Sequence, residues 1–173
     1  YVPFKVPDST RADLMTLSRR LGVTPFMILL SAFDVLVARC TDETDIAVGT
    51  PIANRNRSEL EGLIGFFVNT LVLRADLAGD PSFAEIVARV RDASLGGYEH
   101  QDLPFEYLVE ELAPERDTSR NPLFQVMFVH QTASVPALDL EGLRFEMLRV
   151  DNHTAKFDLQ MFCGEREGGL GGS

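Results

Sequence analysis

Leu14, Leu17 and Leu21 fall at helical spacing behind Ser9 and Thr10, which predicts a first helix that starts near those residues and stops at Gly22. Thr24 then caps a second helix, with Pro25 at its first position and an end near Arg39. That helix is apolar on most sides, interrupted only by Ser31 and Asp34, so it is expected to be buried. A short strand follows from Asp45 to Val48, ended by a Gly-Thr-Pro bend. A helical turn around Glu59–Leu63 leads to a longer strand, FFVNTLVLR, from Phe66 to Arg74. Asp80-Pro81-Ser82 launches an amphipathic helix with Phe83, Ile86, Val87 and Val90 at i, i+3, i+4 and i+7. The next helix opens at HQDLPFE (100–106), with Pro104 in its first turn, where no N–H is needed. Phe105, Leu108, Val109 and Leu112 form its inward stripe. Strand-like runs at Leu123–Val129, Leu143–Val150 and Phe157–Cys163 complete the pattern, the last alternating as if one face were dry.

Two helices, two strands, two helices and three strands predict an α/β fold: a two-layer sandwich of a mixed β-sheet covered by helices. A length of 173 residues suits one domain. The chain opens in an extended-looking YVPFKVP and closes in GGLGGS, so residues 1–167 are assigned to the domain. Residues 168–173 are assigned to a flexible Gly-rich tail or an engineered end.

Charge narrows the partners. A formal net charge of −10 argues against nucleic acid and against anionic membrane, since both need clustered Lys and Arg. The longest apolar run, 25–38, is too short to span a bilayer. Cys40 and Cys163 lie far apart and form neither a disulfide framework nor a zinc spacing, which suits a reducing, cytoplasmic setting.

Candidate chemistry is sparse. His100 and Asp102 stand two residues apart, a spacing of about 7 Å in extended chain and about 200° apart around a helix, so they make a poor catalytic pair. Asp102 fits better as a charge at the start of the following helix. His130, at the end of an apolar strand, and His153, in a connection, are isolated. Glu106, Glu110, Glu111 and Glu115 read as a solvated helix face. Asn69 shares a face with Phe67, Leu71 and Leu73, and an amide among such neighbours needs partners. It either clamps backbone or lines a site. Arg120 and Asn121 belong to a polar turn feeding a strand through Pro122.

Three stretches in order, GLIGFFVNTLVLR (62–74), HQDLPFEYLVEEL (100–112) and RDTSRNPLFQVMF (116–128), resemble successive marker motifs of condensation domains from nonribosomal peptide synthetases. The stretch from Thr24 to Arg55 is similar to the family's preceding segment, so the resemblance covers nearly the whole chain. It implies a fold of two chloramphenicol-acetyltransferase-like lobes, of which this chain is the C-terminal one. In that family, donor and acceptor carrier proteins bring phosphopantetheine-tethered substrates to a tunnel between the lobes, and the acceptor amine attacks the donor thioester.

The resemblance further implies that the reactive histidine sits in a His-His-x-x-x-Asp-Gly motif of the N-terminal lobe. No two histidines are adjacent in this sequence. The expectation is therefore a lobe that is inactive alone, binds no cofactor covalently, and supplies tunnel wall and carrier-docking surface. Its partners would be the N-terminal lobe, the two carrier proteins and a neighbouring adenylation domain. Asn69, Arg120 and Asn121 match polar motif positions and are assigned to the tunnel or lobe contact. His100, Gln101, Asp102 and Pro104 are assigned as motif and structural residues. Two alternatives stand beside this reading: a non-catalytic module that docks carrier proteins, and a lobe of a related epimerising or cyclising domain.

Overall fold

Caps and pairing, more than propensity, set where the elements begin and end in the computed structural model, which describes residues 1–112, 120–131, 142–143, 153–166 and 169–173. In chain order these are β1 (Phe4–Lys5), α1 (Asp8–Leu21), α2 (Pro25–Thr41), β2 (Asp45–Ile52), α3 (Ser58–Glu61) and β3 (Asn69–Asp76). Then come α4 (Phe83–Glu99), α5 (Phe105–Leu112), β4 (Val126–Gln131), β5 (Leu159–Arg166) and β6 (Gly169–Gly172). The strands form one mixed sheet in the order β1-β6-β5-β4-β2-β3. Helices α1, α2 and α4 lie side by side against it, and α5 meets β3. This is the expected two-layer α/β sandwich.

The helices start where the sequence says they should. The Thr24 hydroxyl accepts the Met27 N–H, 3.3 Å away, with Pro25 opening α2. Ser82 caps α4 through a reciprocal box with Glu85. As expected, α2 is the core helix, burying Met27, Ile28, Leu30, Phe33 and Val37. The Phe33 ring meets that of Phe128 in β4 at 5.5 Å between centroids.

Several strand limits differ from expectation. β2 runs through Gly49-Thr50-Pro51 to Ile52 instead of bending after Val48, because β3 pairs along its whole length, as far as Ile52 opposite Asn69. On its other side β2 pairs with β4 only at Val48 and Gly49, so Pro51 costs no bond there. Gly49 has a separate reason to be glycine: a Cβ at this position would overlap the ring of Phe124. Gly49→Ala is expected to lower unfolding stability by about 1–3 kcal/mol, the usual range for overpacking. Urea denaturation checks this, and the penalty should shrink in a Phe124→Leu background.

β3 starts at Asn69, leaving Phe66 outside it, and β4 starts at Val126, because Leu123 turns the chain with a φ of 67°. β5 is more exposed at Leu159 and buried at Cys163 and Gly164, a gradient along the strand in place of the expected alternation. The expected run Leu143–Val150 lies outside the described residues beyond Leu143.

The largest departure is at the end. Residues 169–172 are not a flexible tail; they form β6, buried between β5 and β1. A side chain at Gly172 would strike the Phe162 carbonyl, so the low-complexity composition reflects close strand packing. α5 also buries less than its stripe predicts: Phe105, Leu108 and Val109 are half-buried, whereas Leu112 is exposed.

Candidate functional site

Asn69 organises one end of the sheet. As the first residue of β3, it faces the turn that follows α4. Its Nδ2 donates to the carbonyls of Gln101 (2.9 Å) and Leu103 (2.7 Å). Its Oδ1 accepts the N–H of Phe105 (3.1 Å) and that of Thr70 (2.9 Å). The amide is thus the backbone clamp that its apolar neighbours call for, and it satisfies the first N–H of α5.

Asp102 precedes the first residue of α5, Phe105, by three positions, and its Oδ1 accepts from Asn56 Nδ2 at 2.9 Å. That bond ties the turn to the loop after β2. His100 and Asp102 share no hydrogen bond. His100 is exposed, and its N–H ends α4 by donating to the Gly97 carbonyl. Pro104 accepts from the N–H groups of Tyr107 and Leu108, as a first-turn residue should.

Asn121 and Arg120 are exposed and stand apart from this clamp. Asn121 Nδ2 donates to the Lys156 carbonyl at 2.6 Å, and its own carbonyl accepts from Gln125. Aromatic packing joins the two regions: Phe124 meets Phe105 at 5.6 Å and Phe157 at 5.5 Å. The second and third sequence motifs therefore touch through their phenylalanines, and the first holds the second through Asn69.

Residues 62–68, between α3 and β3, carry the two most exposed large apolar side chains among the described residues. Ile64 is fully exposed and Phe66 is 90% exposed, with Leu63 and Val68 about half so. Arg55 braces the base of this loop, lying 4.3 Å over the Phe67 ring and donating to the Leu60 carbonyl.

A cleft of 320 Å³ opens at the carboxyl ends of β2 and β4. Phe26, Pro51 and Ile52 give it apolar walls; Thr50, Tyr98 and His130 supply polar groups. Burial pushes the Tyr98 phenol up and the His130 imidazole down, the latter partly offset by Glu165. Sequence reading misses this site, because its walls come from four elements that share no motif.

Asp34, by sequence a mere interruption of α2's apolar surface, is 1% exposed, and its Oδ1 makes no hydrogen bond among the described residues. Burial pushes its carboxyl up to about 7. Among the described residues no three His, Cys, Asp or Glu side chains are grouped to hold a metal. No single described helix is long and apolar enough to cross a membrane.

The condensation-domain family profile matches residues 2–172. A linear gramicidin synthase of Brevibacillus parabrevis is 55% identical over 165 residues, covering 94% of this chain and 3% of the synthase. Isonitrile lipopeptide synthase of Mycobacterium tuberculosis is 43% identical, covering 96% of this chain and 7% of that protein. Among solved structures, the X-domain from teicoplanin biosynthesis superposes with a TM-score of 0.88 at 28% identity, covering 99% of this chain and 40% of that one. The four-domain nonribosomal peptide synthetase AB3403, bound to AMP and glycine, gives 0.86 at 25% identity, covering 99% and 14%. The chain thus spans a few per cent of these synthases and well under half of the solved chains. With the profile running through every element from β1 to β6, this chain belongs to the condensation-domain family.

Proposed function

We propose that this chain is the C-terminal lobe of a condensation domain that forms peptide bonds between carrier-tethered aminoacyl or peptidyl thioesters. In this reading the lobe supplies tunnel wall and docking surface, while the proton-handling histidine belongs to an N-terminal lobe. The observation that carries it is the loop 62–68: side chains such as Ile64 and Phe66, almost wholly in water, suit a surface that another body covers. His130 supports the same division of labour. It lines an open cleft, and among the described residues no carboxylate hydrogen-bonds its ring in the way that orients a catalytic base.

Asn69 would then act by holding the 101–105 backbone in place at the tunnel, and Arg120 and Asn121 by contact with the partner lobe. Phosphopantetheine arms would arrive on donor and acceptor carrier proteins, with an adenylation domain as neighbour. Loaded carrier proteins mixed with this chain alone are expected to yield no amide. Adding the N-terminal lobe of the same domain in trans should restore product, followed by mass spectrometry. Turnover by the isolated chain would overturn the assignment of the chemistry to the other lobe.

A second reading, a non-catalytic docking module, draws on one specific likeness. The teicoplanin X-domain has been solved in complex with OxyB, and that chain is 28% identical to this one with a TM-score of 0.87. A failure of every N-terminal lobe to restore amide formation, with carrier binding retained, would favour it.

A further inference from the structure

The exposed loop and the Asn69 clamp are two parts of one unit. β2 and β3 pair as far as Ile52 opposite Asn69, so the chain between them, residues 53–68, leaves and re-enters the sheet at one place. Both ends of that excursion grip the same turn. Asn69, just past its end, binds the backbone of Gln101, Leu103 and Phe105, and Asn56, near its start, donates to the Asp102 carboxylate at 2.9 Å. Asn54, with a φ of 50°, turns the chain off β2 just before this contact. Surface loops with joined ends and packing of their own are frequently functional.

The packing within this loop is centred on Phe67. Arg55 lies over that ring at 4.3 Å and donates to the carbonyls of Leu60 and Glu61. Gly65 approaches the same ring so closely that a Cβ there would stand 3.0 Å from it. Phe67 and Leu60 are accordingly half-buried, while Ile64 and Phe66 project into water. Arg55 reaches into the loop and the adjacent Asn56 reaches to the turn, so the pair ties the loop to Asp102. Asn69 already holds that turn to the sheet. The turn is therefore the fixed base, and the loop is the part being aimed.

We propose that Asp102, through Asn56, is a positioning residue that fixes the direction in which the 62–68 loop presents Ile64 and Phe66 to the body that covers them. That body is the N-terminal lobe, an identification that rests on the condensation reading above. This chain covers 40% of the solved X-domain chain, which leaves the length of a further lobe. An exposed hydrogen bond adds little to folding, but a loop ordered before docking loses less freedom when it docks.

Four variants and two measurements test this. Asn56→Ala removes the donor, Asn56→Asp sets two acids against each other, and Asp102→Asn keeps an acceptor for Asn56. Asn56→Asp combined with Asp102→Asn restores the bond with donor and acceptor reversed. The first measurement is hydrogen exchange in the 173-residue chain. The amides of Leu60 and Leu63 are bonded within the loop, to the carbonyls of Arg57 and Leu60. They should exchange about 3- to 10-fold faster in Asn56→Ala and Asn56→Asp, the worth of one exposed hydrogen bond. The Phe105 amide, held by Asn69, should keep its rate, and the swapped pair should restore the parental rates.

The second measurement is amide formation titrated with the N-terminal lobe. The half-saturating lobe concentration should rise by a similar factor in the same two variants and return in the swapped pair, with turnover at saturating lobe unaltered. Unchanged exchange at Leu60 and Leu63, equal acceleration at Phe105, or a swap that restores nothing would each overturn the positioning role. Lower turnover of Asp102→Asn at saturating lobe would also overturn it, by placing Asp102 in the chemistry. Faster loop exchange reversed by the swap, with no N-terminal lobe able to bind the parental chain, retains the aiming of the loop and removes the condensation reading. Lobe-dependent product with unaltered exchange removes the positioning role alone.

Discussion

Replacing Asp34 with Asn is expected to stabilise the chain progressively more as pH rises from about 4 to about 7. The cause is a carboxyl group 1% exposed in the middle of α2, whose Oδ1 has no hydrogen-bond partner among the described residues. Burial alone raises it to about 7, with no neighbouring charge contributing. An unfolded aspartate titrates at about 3.9. Below that value both states hold the proton, and the group costs nothing in charge terms. Between about pH 4 and pH 7 the unfolded chain ionises while the folded chain stays protonated, so stability falls with pH. Above about 7 both are ionised and the full penalty persists. At about 1.36 kcal/mol per pH unit it reaches on the order of 4 kcal/mol. Asparagine has no such titration, so the stability gap between variant and parent should widen by that order over this window. Urea denaturation of both proteins at about pH 4, 5.5 and 8 measures it. A gap that stays constant would mean that Asp34 is ionised in the folded chain and compensated there.

How much of this is readable beforehand depends on whether a feature is local. Thr24-Pro25, Ser82 with Glu85, and the leucines of α1 are local signals, and those helices sit where they point. Gly49 and Pro51 are also local signals, and they mislead. As a pair of breakers they argue for a bend, yet pairing with β3 carries the strand through both. GGLGGS misleads in the same way. Its glycines suit a linker by composition, but at Gly172 the requirement is clearance from the Phe162 carbonyl, which only the assembled sheet reveals. The family motifs are legible as words before their contacts are. Asn69 announces that it needs partners without naming Gln101, Leu103 and Phe105, more than thirty residues away. The cleft is illegible in principle, since Thr50, Tyr98 and His130 are brought together only by the sheet and its helices.

Loss of the Asn69 side chain is expected to cost about 3 kcal/mol and to loosen the start of α5. Four hydrogen bonds converge on this one amide, two donated and two accepted. Each is worth about 0.5–1.5 kcal/mol net, and the part-exposed carbonyls recover some of that from water. Asn69→Ala removes all four, leaving the Phe105 N–H without its cap. Asn69→Asp separates the contributions: its Oδ1 still accepts from Phe105 and Thr70, but a carboxylate now faces the carbonyls of Gln101 and Leu103 with no proton to offer. Near neutral pH the aspartate variant should therefore be as unstable as the alanine one. In acid it should recover, because a protonated carboxyl can donate to one of those carbonyls. Hydrogen exchange of the amides from Phe105 to Val109 should accelerate in both variants more than that of α2, since the lost bonds anchor the 101–105 turn. If Asn69→Ala shifts the urea midpoint negligibly and leaves α5 exchange unchanged, the packing of Phe105 on Phe124 holds this region, and the amide is incidental to it.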